Sequence, residues 1–250
     1  MAKTALAHTL FSLVLLGPWL YLPIFRRQSA RIRAGIPNAR VGIYKLTLAK
    51  QIVSVVLLLM LHEAGGVSAA DLGWVAPQSW ARTLAVGLAS VAAAFFFSVM
   101  IDPKSAASAL AKAKQSPVGV MIPETHRERL WFGGISLGAG LMEEMLCRGF
   151  VFYYLATFLK ISSPVLIVLV SATLFGLAHI YQGWKTAAGP ALAGVILGSL
   201  YQYTGSLVLP IIVHAVGDYR HLWIIPKTAT RPPQKRACRP GDPATTVKNG

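Results

Sequence analysis

The chain has 250 residues, of which 54% are hydrophobic and only 13% charged, and it carries a formal net charge of +15. So apolar a composition excludes an ordinary water-soluble domain, and a basic charge that collects in the gaps between apolar runs excludes a nucleic-acid partner. What fits is a polytopic helical membrane protein whose arginines and lysines set its topology and meet the anionic headgroups of the bilayer.

Apolar runs near twenty residues, the length that crosses about 30 Å of hydrocarbon, predict an all-α bundle of roughly seven membrane helices, between six and eight. They lie near 5–24, 46–62, 84–101, 131–159, 163–182, 187–204 and 207–225. Lys3 and the run behind it could be a signal peptide, but no small-residue cleavage site follows, so the first run is expected to stay as a span. The fourth run is long enough for a steeply tilted helix or for one that breaks near Gly149 and resumes, and both fit the sequence. The gap after the first run holds Arg26, Arg27, Arg31, Arg33, Arg40 and Lys45, whereas that after the second has only Arg82. The positive-inside rule therefore places the first gap in the cytoplasm, together with the basic gap 102–130, the amino terminus outside and the tail inside. The chain divides into amino-terminal helices and loops (1–130), a membrane core (131–225) and a Pro-rich, charged tail (226–250) expected to be disordered. Two cysteines, Cys147 and Cys238, make no disulfide framework and no Cys-based zinc site.

Ionisable residues at membrane depth are expensive, so their placement is informative. In "GLMEEMLCRGFVFYYL" (140–155), Glu144 and Arg148 are four apart and stack one above the other as an expected structural ion pair. Glu143 is left unclaimed, about 100° round the helix from Glu144 and on the order of 18 Å along it from Trp131. The fifth run ends "FGLAHIYQGW", with Phe175 and His179 four apart. The seventh contains "HAVGD", with His214 and Asp218 at the same spacing. Turned inward from three helices, Glu143, His179, His214 and Asp218 are the parts that activate water. Glu143 takes the proton, His179 or a bound cation holds the water, and His214 with Asp218 binds the cation or supports an oxyanion.

The three motifs, "EEMLCR", "FGLAH" and "HAVGD", in this order and on these spans, resemble those of the CPBP family, the type II CAAX prenyl endopeptidases and their bacterial relatives. The resemblance covers roughly 131–225. It implies an intramembrane endopeptidase acting near the cytoplasmic face on a membrane-associated peptide or protein, in the bacterial inner membrane. By the same resemblance Glu143 and His179 activate water, His214 and Asp218 act as ligands or oxyanion support, and Glu144, Arg148 and Phe175 give structural support. A divalent metal such as zinc, held by His179 and His214, is the candidate cofactor. Several characterised members carry Asn where this chain has Asp218, and an ionised aspartate cannot donate a hydrogen bond to an oxyanion.

Two other functions use the same residue types. A transporter or proton relay also places Glu, His and Asp in the membrane, but no inverted internal repeat is visible. A non-catalytic immunity or scaffold protein could keep the fold and bind a partner. His62 and Glu63 lack the second histidine of a zincin motif and are expected at a helix end, while His8 and His126 carry no signal and His221 is expected at the interface. The pairs Gly134/Gly138 and Gly194/Gly198 predict close helix packing. Phe150, Phe152, Tyr153 and Tyr154 are expected in the core or an interfacial belt, and Cys147 as a plain buried thiol.

Overall fold

The computed structural model describes residues 1–100, 108, 111–219 and 222, and among these all regular structure is helical. The expected disordered tail, Cys238, His221 and the last residues of the seventh run lie outside the described residues. The α-helices with both ends among the described residues are, in order, α1 Ala2–Arg33, α2 Ala39–Glu63, α3 Trp80–Met100, α4 His126–Glu144, α5 Val151–Thr157, α6 Pro164–Ala178, α7 Ala188–Thr204 and α8 Val208–Tyr219. Only α1 and α2 are both long and apolar enough to cross a membrane by themselves among the described residues. Several of the expected spans are therefore shorter than their apolar runs. Their large apolar side chains nevertheless face outward along the helices, with Leu16 and Leu20 on α1, Leu88 on α3, Val165 on α6 and Leu192 on α7 all exposed. In water such a girdle would be an aggregation surface; against lipid tails it is the ordinary outer face.

The fourth run neither breaks near Gly149 nor continues as one uniform helix. Between α4 and α5 lies a π-helical turn, Met145–Phe150, and the backbone stays right-handed helical where it begins and ends. The helix opens α4 with a capping box at Thr125 and Glu128, five residues before Trp131. Glu143 consequently sits about 26 Å from the helix start, deeper than the apolar run alone indicates. The widened turn is the one that carries Arg148 into the core.

α6 starts with Pro164 at its first position, where a missing N–H does no harm, and Ser163 Oγ accepts the Leu166 N–H. It ends at Ala178, after about 22 Å, so its last turn stops inside the bundle. The expected span 163–182 is shortened accordingly. A single 3-10 turn, Ile180–Gln182, and Gly183 at φ 108° then reverse the chain into α7.

α6 and α7 pack backbone to backbone. A Cβ at Gly194 would lie 2.9 Å from Ala172 Cα, and one at Gly198 would lie 3.3 Å from Phe152 and Val168, as the glycine spacing there predicted. The other pair departs from expectation: Gly138 meets α2, but Gly134 faces open space. The close approach between α4 and α8 is made instead at Gly140, where a Cβ would lie 2.7 Å from that of Ala215. Replacing Gly194 by Leu must force α6 and α7 apart, so a loss of about 1–3 kcal/mol is expected, read as a lower melting temperature in detergent. An unchanged melting temperature would show that this contact is looser than described.

The basic end of the bundle is tied together by polar contacts between sequence-distant loops. Arg40 on α2 binds Glu124 and Glu128 at 3.1 and 3.0 Å and donates to the Val120 carbonyl. Arg33 donates to Ser116 O, Arg127 to Asn38 Oδ1, and Tyr44 to Met121 O. The segments expected to share one membrane face therefore do assemble at one end. At the opposite end the 64–79 loop is fastened to the α7–α8 turn by Gln78 N–H to Thr204 O and Leu207 N–H to Gly73 O. His62 lies at the end of α2, as expected, with Nδ1 2.8 Å from Val67 O.

Candidate active site

Four elements bring side chains to the middle of the bundle, α2, α4 with its π turn, the end of α6 and α8, and α7 adds a backbone carbonyl. At the centre is the buried pair Glu144–Arg148, with Arg148 Nη1 donating to Glu144 Oε1 at 2.6 Å and neither side chain exposed. Arg148 Nη2 donates to the Gly194 carbonyl on α7 at 3.2 Å, and its guanidinium lies 4.7 Å from the centre of the Phe175 ring. The predicted ion pair is present.

Glu144 does more than pair with Arg148. His214 Nδ1 lies 2.7 Å from the same oxygen, Glu144 Oε1. Glu144, expected as structural support, therefore also orients one of the two candidate imidazoles. A carboxylate oxygen accepts, so Nδ1 of His214 carries a hydrogen and Nε2 is the nitrogen left to face the site. That Nε2 stands 3.8 Å from Asp218 Oδ2, one turn further along α8, with Asp218 partly exposed.

Glu143 faces His179. Its Oε2 lies 3.9 Å from His179 Nε2, both side chains being about five-sixths buried. His179 caps α6, and its Nδ1 is 2.8 Å from the Phe175 carbonyl of its own last turn. A carbonyl only accepts, so Nδ1 is again the protonated nitrogen and Nε2 carries the lone pair of the neutral ring, aimed at Glu143. The early end of α6 makes this possible, since His179 could not bond back to Phe175 and reach across to α4 from a continuing straight helix.

The four predicted side chains therefore stand as two couples, Glu143 with His179 and His214 with Asp218, and Phe175 joins them. Its ring is 4.7 Å from that of His179 and 5.8 Å, edge to face, from that of His214, while Arg148 covers it. Sequence reasoning missed two participants. Gln51 on α2, buried at 2% exposure, places Nε2 3.3 Å from Glu143 Oε1. Tyr181 lies with its ring 5.9 Å from that of His179 and edge to face with Tyr21 of α1. For Gln51 the available signal was a neutral amide inside the apolar run 46–62 of α2.

Of the remaining residues singled out in the sequence, Cys147 is buried and free, and its carbonyl accepts from Ser171. Phe150, Phe152 and Tyr154 are buried in the core with Tyr153 packed against them. His8 pairs with Tyr154 OH at 2.6 Å and so has a packing role that its sequence context did not reveal. A zinc ion held by His179 and His214 would use their Nε2 atoms. Among the described residues no group of three His, Cys, Asp or Glu side chains is arranged to hold a metal ion, and the carboxylates nearest these two Nε2 atoms are those of Glu143 and Asp218.

The family model for the Rce1-like type II CAAX prenyl endopeptidases matches residues 126–220, from the first residue of α4 to just beyond α8, and so takes in all three motifs. No curated protein and no solved structure matches the chain. Residues 126–220 are therefore similar to the Rce1-like type II CAAX prenyl endopeptidases, a family of membrane proteases.

Proposed function

We propose that the protein is an intramembrane endopeptidase that hydrolyses a peptide bond in a membrane-associated peptide or protein near the cytoplasmic face of a bacterial inner membrane. The observation that carries this reading is the facing of Glu143 Oε2 and His179 Nε2 across 3.9 Å. The gap is too long for a direct hydrogen bond, yet a water oxygen about 2.8 Å from each atom fits between them. In that position Glu143 accepts one proton of the water and His179 Nε2 holds the other, and the oxygen attacks the peptide carbonyl. His214, carrying hydrogens on both nitrogens, donates Nδ1–H to Glu144 and offers Nε2–H to the oxyanion. Asp218 Oδ2 lies 3.8 Å from that Nε2. When the tetrahedral species collapses, the C–N bond breaks and the proton held by Glu143 passes to the leaving nitrogen, giving an amine and a carboxylic acid.

A place near the Arg-rich end is supported by the geometry of α6, which stops short of that end, and by an open groove of about 260 Å³ between α2 and α4. Leu48, Leu130, Trp131, Gly134 and Ile135 line the groove, and Leu48 is one helical turn from Gln51. An extended substrate segment laid along it would approach Glu143 from the basic side.

Cleavage of membrane-tethered peptides by the purified protein, before and after exhaustive chelation, tests how water is activated. With Glu143 and His179 as the acid–base pair, chelation leaves kcat/KM within about twofold. Loss of cleavage that zinc restores, together with loss of bound zinc in His179→Ala and His214→Ala, would instead make the two imidazoles metal ligands. Failure of the wild-type protein to cleave any peptide would favour the non-catalytic binding role.

A further inference from the structure

Gln51 lies outside all three motifs and outside the family match, yet it is the one buried side chain of α2 that reaches the candidate base. A carboxylate oxygen can only accept, so the Gln51 amide must present N–H to Glu143 Oε1 and turn its own oxygen away. That oxygen, Oε1, is buried and has no hydrogen-bond partner among the described residues. It rests instead over the backbone of α4 at Gly138, where a Cβ would lie 3.0 Å from it. Desolvating an amide oxygen without a partner is unfavourable by about 1–3 kcal/mol in protein mutational data, so stability alone would favour an apolar residue at this position. The contact that makes up for it is the one to Glu143. With Oε1 of Glu143 held by α2, the remaining oxygen, Oε2, is the one turned to His179.

We propose that Gln51 is a positioning residue for the reaction, fixing the rotation of the Glu143 carboxylate, and that Gly138 is required because it leaves room for the Gln51 amide to do so. This inference rests on the reading of Glu143 as the water activator. Without the amide, the carboxylate can turn about its last bond and spend much of its time with neither oxygen aimed at the water. The loss falls on kcat, because the substrate touches neither Gln51 nor Gly138.

The test uses Gln51→Met, which keeps the length and apolar stem but cannot donate, and Gly138→Ala. Gln51→Met is expected to lower kcat roughly tenfold to a hundredfold, the range for loss of one hydrogen bond to a charged group, with KM within twofold and the folded yield retained. Gly138→Ala lowers kcat in the same direction by crowding the amide, and in the Gln51→Met background it adds little further loss, since the two act through one contact. An unchanged kcat in Gln51→Met, or fully multiplicative losses in the double variant, overturns the proposal. A readout independent of cleavage separates this from failure of the peptidase reading. In protein labelled with 13C-glutamate, the carboxylate infrared band assigned to residue 143, by its disappearance in Glu143→Gln, shifts in Gln51→Met. If the wild type cleaves nothing and the band shifts, Gln51 orients Glu143 in a protein of another function; if the band stays in place, Gln51 does not orient it at all.

Discussion

Glu143→Gln is expected to lower kcat/KM by about a hundredfold to ten-thousandfold while leaving folded yield and melting temperature close to wild type. The amide occupies the same volume, keeps an oxygen for the Gln51 N–H, and leaves the Glu144–Arg148 pair untouched. What disappears is the group that takes the proton from water, and a general base in a site of this kind contributes about 10²–10⁴-fold. The measurement compares cleavage of one membrane-tethered peptide by both proteins in the same detergent, beside their unfolding curves. Equal rates would remove Glu143 from the chemistry, and a collapse in yield would move it into the architecture.

Arg148→Ala should act the opposite way, destroying the protein before the question of catalysis arises. The guanidinium is fully buried and holds Glu144, the Gly194 carbonyl and the face of Phe175 at once. Removing it leaves the Glu144 carboxylate buried with only His214 as partner, and breaking a buried pair from one side costs about 3–5 kcal/mol. For a protein of ordinary stability that is a large share of the total, so a strong fall in monodisperse yield and melting temperature is expected. Glu144→Ala behaves similarly and in addition releases His214. Replacing both by Met, which removes both charges, should recover part of the stability lost in either single variant, though not the orientation of His214. Thermal unfolding of the three variants decides this, and a double variant worse than both singles would mean that the pair is needed for more than charge balance.

Much of this site was legible because helical periodicity acts over short distances. Glu144 with Arg148, Phe175 with His179, and His214 with Asp218 each follow from side chains four apart sharing a face. The cost of ionisable groups at membrane depth then turned those faces inward. Contacts between helices were not legible, because they depend on how each rod is rotated against its neighbours. The bond from His214 to Glu144 is of this kind, as is the reach of Gln51 from α2, where the amide beside Lys50 reads as an ordinary polar residue at the start of a span. The π turn at Met145–Phe150 and the early end of α6 were hidden for another reason. Both sit in apolar sequence that suits a regular helix, and both place a site residue, Arg148 in one case and His179 in the other. The glycine pattern was read correctly for Gly194 and Gly198 but not for Gly134, since small residues at a four-residue spacing permit a close approach without requiring one.

The dependence of Glu143 and His179 on each other is tested most directly by a kinetic cycle on the wild type, Glu143→Gln, His179→Ala and the double variant, all measured under single-turnover conditions with one membrane-tethered peptide. Side chains that hold one water between them act as a unit, so the double variant is expected to be no more than a few-fold slower than the slower single variant. Losses that multiply across the two positions would mean that the carboxylate and the imidazole work apart, and the shared water would have to be abandoned.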